Sequence, residues 1–210
     1  MSSEVDLSFF KLYYTYSIVT TRKRNPMPRP ASRASSRPNI LDAAAELIAQ
    51  HGVHDLTLEG VAYRAGVTKG GLIYHFKTKD DLLAAVVERV LIQVEERYRS
   101  RAERHGNTLA ARLSSLVEET FDFPEDEKRL QANLLAAASS YPHLLGPVQA
   151  MFARIYGQFS EAGANTGLAL VLAAALDGIV FLELQNLHHF APDEREAMRQ
   201  AILTISRQLS

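Results

Sequence analysis

From Pro38 to the C-terminus, apolar residues recur every three or four positions in runs separated by prolines, glycines and capping side chains. The first run is Ile40, Ala44, Leu47 and Ile48, opened by Pro38 at a first-turn position and stopped by Gly52. Thr57 is placed to cap a short helix through Arg64, and Thr68 to cap another after Gly66. Thr78, Lys79, Asp80 and Asp81 form a capping box that launches a long helix through Leu82, Val86, Val90, Leu91 and Val94. Asn107 and Pro124 are predicted to open two further helices, and Pro142 to interrupt before another over residues 143–162. Asn165 is predicted to cap an alanine- and leucine-rich helix reaching about Phe190. Pro192 begins the last, with Met198, Ile202, Ile205 and Leu209 on one face. Neither strand-type alternation nor an internal repeat interrupts this cadence, which predicts an all-α fold of about nine helices.

The chain has 210 residues, enough for one or two domains with a substantial core. It has no cysteine, which excludes disulfides and zinc–thiolate sites and is compatible with a reducing, cytoplasmic setting. A net charge of −1 conceals an asymmetry. Residues 22–79 hold ten basic against four acidic residues, a balance of +6, whereas residues 80–210 hold twelve against eighteen, a balance of −6. A basic first third on an acidic body is the pattern of a polyanion-binding module.

Residues 5–20 are apolar and aromatic, but Lys11 interrupts them and their basic cluster follows instead of preceding, unlike a secretory signal. Residues 167–184 are long enough to span a membrane, yet Asp177 sits at their middle. A central acid costs about 2.5–3.5 kcal/mol on insertion, so a buried helix is predicted. Residues 26–38 hold four prolines and no acid. Residues 1–37 are therefore read as a disordered basic arm, whose first 26 residues are either an over-extended start or a loosely attached tail.

Residues 65–76, AGVTKGGLIYHF, contain three glycines between two strongly helical stretches. They fit the second helix of a helix-turn-helix over residues 58–77. Val61 anchors the first helix, Ala62 lets the second approach closely, and Gly66 suits a turn that needs positive φ. Leu72 and Phe76 put one face into the core; Lys69, Gly70, Ile73 and Tyr74 take the other. Each glycine costs about 1 kcal/mol of helix propensity, but a helix without side chains in its first turn can press its backbone into a major groove.

Residues 39–88, NILDAAAELIAQHGVHDLTLEGVAYRAGVTKGGLIYHFKTKDDLLAAVVE, resemble the DNA-binding domain of the tetracycline-repressor (TetR) family. That resemblance implies a DNA-binding domain over 38–84 and a ligand-binding and dimerisation domain over 85–210. It also implies a homodimer bound to a palindromic operator in double-stranded DNA, usually as a repressor, and released by a small-molecule inducer. Lys69 corresponds to the family's base-contacting position, where a lysine can donate to guanine O6 and N7. Thr57, Thr68, Tyr74, His75 and Lys77 match positions that usually hold phosphates. Gly71 stands where threonine or alanine is common, and Ile73 where tyrosine is common. Ile73 either touches a thymine methyl or turns partly into the core. Arg29, Arg33 and Arg37 either enter an adjacent minor groove or add only nonspecific attraction.

The second domain transfers less well. Its ending resembles C-terminal domains whose last two helices form a four-helix interface with their mates, for which Ala173, Ala174 and Gly178 permit close approach. Asp177 needs a hydrogen-bond partner in so apolar a setting. Phe121, Asn133, Phe152, Tyr156, Phe159, Phe181 and Glu183 are candidate pocket residues, each weighed against plain core packing. The acids Glu118, Glu119, Asp122, Glu125, Asp126 and Glu127 are read as a solvated loop that keeps this domain off DNA. His51 and His54, like His188 and His189, lack metal-ligand spacing on a helix face, so no metal or cofactor is expected. Without a nucleophile–base constellation an enzyme is not expected either. The competing class is a DNA-binding regulator controlled by a protein partner, with no small-molecule pocket.

Overall fold

A computed structural model describes residues 36–122, 124–138 and 140–209. These residues form nine α-helices and no strand. Helix α1 (Ser36–His51) buries Ile40, Leu41, Ala44 and Ile48. It begins at Ser36, so Ser36 and Arg37 are helical and the predicted arm is two residues too long; the rest of the arm, Arg33 included, lies outside the described residues. Helix α2 (Leu58–Ala65) starts at Thr57, whose hydroxyl accepts from the Gly60 N–H at 3.1 Å. Gly66, at φ +67°, ends it in the left-handed conformation. Helix α3 (Lys69–His75) is capped by Thr68, and α4 (Lys79–Arg104) by reciprocal 3.0 Å bonds between Thr78 and Asp81.

Three boundaries differ from expectation. Thr108, not Asn107, caps α5 (Leu109–Phe121), because Asn107 takes a positive φ of 54° beside Gly106 to reverse the chain. Helix α6 (Glu125–Ala137) follows Pro124, and a 3-10 turn at Pro142–Leu144 leads into α7 (Leu145–Ser160). Asn165 makes no side-chain cap for α8 (Thr166–Leu184). That helix stops at Leu184 instead of near Phe190, where Asn186, at φ 55°, turns the chain. The last helix is α9 (Pro192–Arg207), with the Glu194 carboxylate accepting from the Ala191 N–H at 2.8 Å.

One core runs through all of it. Helices α1, α2 and α3 pack together, α1 also meets α4 and α6, and α5 lies against α4, α8 and α9. Residues Gly163–Leu184 are apolar and long enough to cross a membrane, but one face of α8, Ala169, Leu172, Ala173, Leu176 and Val180, is buried in this core. Asp177 is buried too, and accepts a hydrogen bond from the Tyr156 hydroxyl.

The acid run is solvated only in part: Asp122 is exposed and Glu118 half-buried, and the side chains of Glu125 and Asp126 lie outside the described residues. Glu119 and Glu127 are buried, at 6% and 4% exposure. Arg97 donates to both oxygens of Glu119 at 3.2 Å, Arg101 adds a bond at 2.6 Å, and Arg97 lies 3.7 Å from Glu127. Asp122 pairs with Arg199 at 3.0 Å, so the acids tie α4, α5, α6 and α9 together. Charge density alone points to solvation; cationic partners on other helices determine the outcome for Glu119 and Glu127.

Gly66 offers a direct test of the turn. A Cβ there would meet nothing within 4 Å, so only the backbone objects. Gly66→Ala should cost about 1–2 kcal/mol in denaturant unfolding, and an unchanged midpoint would contradict the left-handed turn.

Candidate nucleic-acid interface

Leu72 (0% exposed) and Phe76 (3%) seat α3 on the core, and Val61 and Ala62 do the same for α2. Because α3 turns its apolar pair inward, Lys69, Gly70, Ile73 and Tyr74 face outward. Tyr74 is 73% exposed and Ile73 39%, so Ile73 belongs mainly to the open face. At Gly70 an added Cβ would meet nothing within 4 Å, whereas at Gly71 it would press on Thr68 Oγ1 at 3.2 Å. A side chain at 71 would have to be accommodated by a small shift of Thr68, whereas position 70 is open to external approach.

Thr57 and Thr68 each use a hydroxyl lone pair to cap a helix, at 3.1 and 3.0 Å, which leaves the hydroxyl proton available to a phosphate oxygen. Lys77 is exposed between α3 and α4. His75 is half-buried, with Nε2 2.7 Å from Ser36 Oγ, which ties the end of α3 to the start of α1. Arg37 lies over the Phe76 ring at 5.3 Å, a cation–π contact at the same junction. Lys79 reaches the His54 carbonyl at 3.1 Å, and Arg89 reaches Asp42 at 2.6 Å, so α4 braces α1 and its following loop.

Two exposed side chains escaped the sequence reading. Glu59 of α2 lies 2.5 Å from Lys69 Nζ, and that hydrogen bond holds its carboxyl below the usual carboxylate range. Tyr63, one helical turn on from Glu59, is 90% exposed. The available signal was the helical period: with Leu58, Val61 and Ala62 inward, Glu59 and Tyr63 must share the outer face. A cation, hydroxyl donors and aromatic rims on a rigidly seated short helix suit the edge and backbone of duplex DNA.

Residues 40–86 match the family of bacterial regulatory proteins, tetR family, and residues 110–207 match a tetracyclin repressor-like C-terminal domain. The chain belongs to the TetR family. It is 27% identical over 181 residues, 77% of this chain and 91% of the relative, to the HTH-type transcriptional regulator BetI of Serratia proteamaculans. A TetR-family structure from Streptomyces coelicolor is 29% identical, covers 82% of this chain and 98% of its own, and superposes with a TM-score of 0.61. The transcriptional regulator FadR from Bacillus subtilis, solved in complex with stearoyl-CoA, shares the fold at 19% identity and a TM-score of 0.57, over 81% of this chain and 97% of its own. As a TetR-family protein the chain is a DNA-binding transcriptional regulator with a helix-turn-helix domain.

The candidate pocket residues of this TetR-family chain occupy three separate places. Along α7 Phe152 stacks on Tyr156 at a centroid distance of 6.1 Å, Tyr156 meets Phe159 edge-to-face at 6.4 Å, and Asp177 of α8 closes the group. Burial, reinforced by the Asp177 carboxylate, pushes the Tyr156 phenol well above its ordinary range. Phe121 lies under the Arg195 guanidinium at 5.3 Å, while Glu183 pairs with Arg195 and with Lys128, and Phe181 is half-buried nearby in sequence. Asn133 lies elsewhere: its amide donates to the Ile48 carbonyl at 2.8 Å, where α6 meets α1. A cleft of about 690 Å³ opens between α4, α5 and α7, lined by Tyr98, Arg99, Arg112, Arg154 and Gln158. None of the seven candidates lines that cleft; Phe121 alone lines a smaller one of about 330 Å³, with Arg195 and Arg199.

Proposed function

We propose that the protein is a cytoplasmic repressor that binds an inverted-repeat operator as a homodimer and releases it when a small-molecule inducer enters the C-terminal body. The observation that carries this reading is the outward face of α3, where Lys69, Gly70, Ile73 and Tyr74 stand clear of a core that Leu72 and Phe76 anchor. Lys69 contacts bases; Thr57, Thr68, Tyr74, His75 and Lys77 hold the flanking phosphates. Arg37, already fixed beside α3 by Phe76, adds its charge beside the same duplex.

Dimerisation is supported by α8, whose outer side exposes Leu168 (43%) and Val171 (63%), with Ala174 and Ala175 between the turns. An exposed apolar row on a helix suits a second copy better than water. Val171→Asp should convert the dimer to a monomer in light scattering and lower operator affinity with it; a persistent dimer would place the interface elsewhere.

Control by ligand requires that the body speak to α1. Helix α6 supplies the contact, with Asn133 on the Ile48 carbonyl and with its start, at Glu127, in the Arg97 ion cluster. The stearoyl-CoA complex of FadR favours a small molecule as the trigger. Burial of Phe152 and Phe159 in the core, away from the cleft of about 690 Å³, favours the second reading, in which a protein partner acts on the body. The deciding experiment is release of a bound operator duplex during a small-molecule screen. Release by a compound supports induction. Release only by a protein fraction supports the alternative.

A further inference from the structure

Glu59 and Lys69 come from different helices and meet across the turn, 2.5 Å apart, with 61% and 60% of their side chains exposed. The fold does not need this pair. Thr57, not Glu59, caps α2, and both side chains stand outside the core. Exposed ion pairs contribute little to stability. A carboxylate on a DNA-facing surface also repels phosphates, so what it faces must compensate for its presence.

In the major groove a G·C pair presents guanine N7 and O6 as acceptors and the cytosine N4 amino group as a donor. O6 and N4 are joined by the pair's own hydrogen bond and lie about 2.9 Å apart. A cation and a carboxylate at 2.5 Å are the complement of that edge. An A·T pair offers an acceptor–donor step as well, at thymine O4 beside adenine N6 or at adenine N7 beside N6, but never the two adjacent acceptors that a G·C pair places before its donor.

We propose that Glu59 and Lys69 together read one G·C pair in each operator half-site, with Lys69 on guanine O6 and N7 and Glu59 accepting from the cytosine N4 amino group. This rests on the DNA-reading role of α3 proposed above. Glu59 also works by rejection: at C·G and A·T its charge faces guanine O6 or thymine O4, and at T·A it keeps the adenine N6 donor while Lys69 loses the second acceptor that guanine N7 supplies.

The test is selection of bound DNA from a random duplex pool by the wild-type chain and by Glu59→Ala, Lys69→Ala and Lys77→Ala variants. All three positions are exposed, so the variants fold; circular dichroism checks this. The wild type should enrich G·C at one position per half-site. E59A and K69A should each flatten that same position, with about a tenfold loss of discrimination. K77A should weaken all sequences alike and leave the pattern intact. If E59A keeps the preference and merely binds every duplex more tightly, Glu59 is only a charge brake and the proposal fails. It also fails if E59A and K69A flatten different positions. A wild type with no enriched motif would overturn the DNA-reading role of α3 as a whole, whereas a wild-type motif untouched by E59A would overturn Glu59 alone.

Discussion

Leu72→Ala should abolish operator binding while leaving the C-terminal body folded. Helix α3 has seven residues, too few to persist in water by its own hydrogen bonds. It exists because Leu72, fully buried, and Phe76 hold one face while Thr68 caps its start. Truncating such a leucine costs about 2–5 kcal/mol, depending on how far the site collapses. Most of that cost falls on the element that carries Lys69, Gly70, Ile73 and Tyr74. Fluorescence anisotropy with an operator duplex should show specific binding falling by at least a hundredfold. Far-ultraviolet circular dichroism should retain most of the helical signal from α4 to α9. Leu72→Met, which conserves volume, should bind nearly as the wild type does. Binding by L72A within tenfold of wild type would mean that α3 is not what the duplex reads.

The second large effect is expected at Glu119. Its carboxylate is almost fully buried and accepts three hydrogen bonds, two from Arg97 at 3.2 Å and one from Arg101 at 2.6 Å. Glu119→Ala leaves two guanidinium groups facing a gap, with Glu127 the remaining buried acid beside Arg97. Breaking a buried pair from one side costs about 3–5 kcal/mol. Arg97 and Arg101 keep 24% of their side chains exposed, so water offsets part of the loss. A value near 3 kcal/mol is expected in urea unfolding, a large share of the 5–15 kcal/mol typical of a folded domain. Glu119→Gln keeps the volume and one acceptor and should cost less. A loss below about 1 kcal/mol for E119A would show that the cluster is effectively solvated and behaves as a surface pair.

What the sequence made legible follows the range of the forces involved. Thr57, Thr68 and Thr78 act on amides three residues away, so each cap could be read locally, and each is where the pattern placed it. The inward turn of Leu72 and Phe76 follows from helical period and is equally local. Boundaries slipped where backbone conformation outweighed side-chain type. Asn107 and Asn186 both take left-handed φ, and an asparagine read only as a capping residue does not reveal that. Contacts between helices were out of reach. The partners of Glu119 sit on α4, and the partner of Glu59 sits beyond the turn, where no helical spacing links the two. The same limit scattered the pocket candidates. Aromatic spacing marks Phe152, Tyr156 and Phe159 as one stripe of α7, but it does not say that Asn133 meets α1 or that Glu183 meets Arg195.

The central claim is that α3 of a dimer reads sequence in duplex DNA. The most direct measurement is the wild-type protein's selection from a random duplex pool, read at physiological salt. An enriched inverted repeat whose half-sites share one strongly preferred G·C pair is expected. Weak binding that falls steeply with salt and enriches no motif would contradict it, and would make the basic domain a nonspecific anchor.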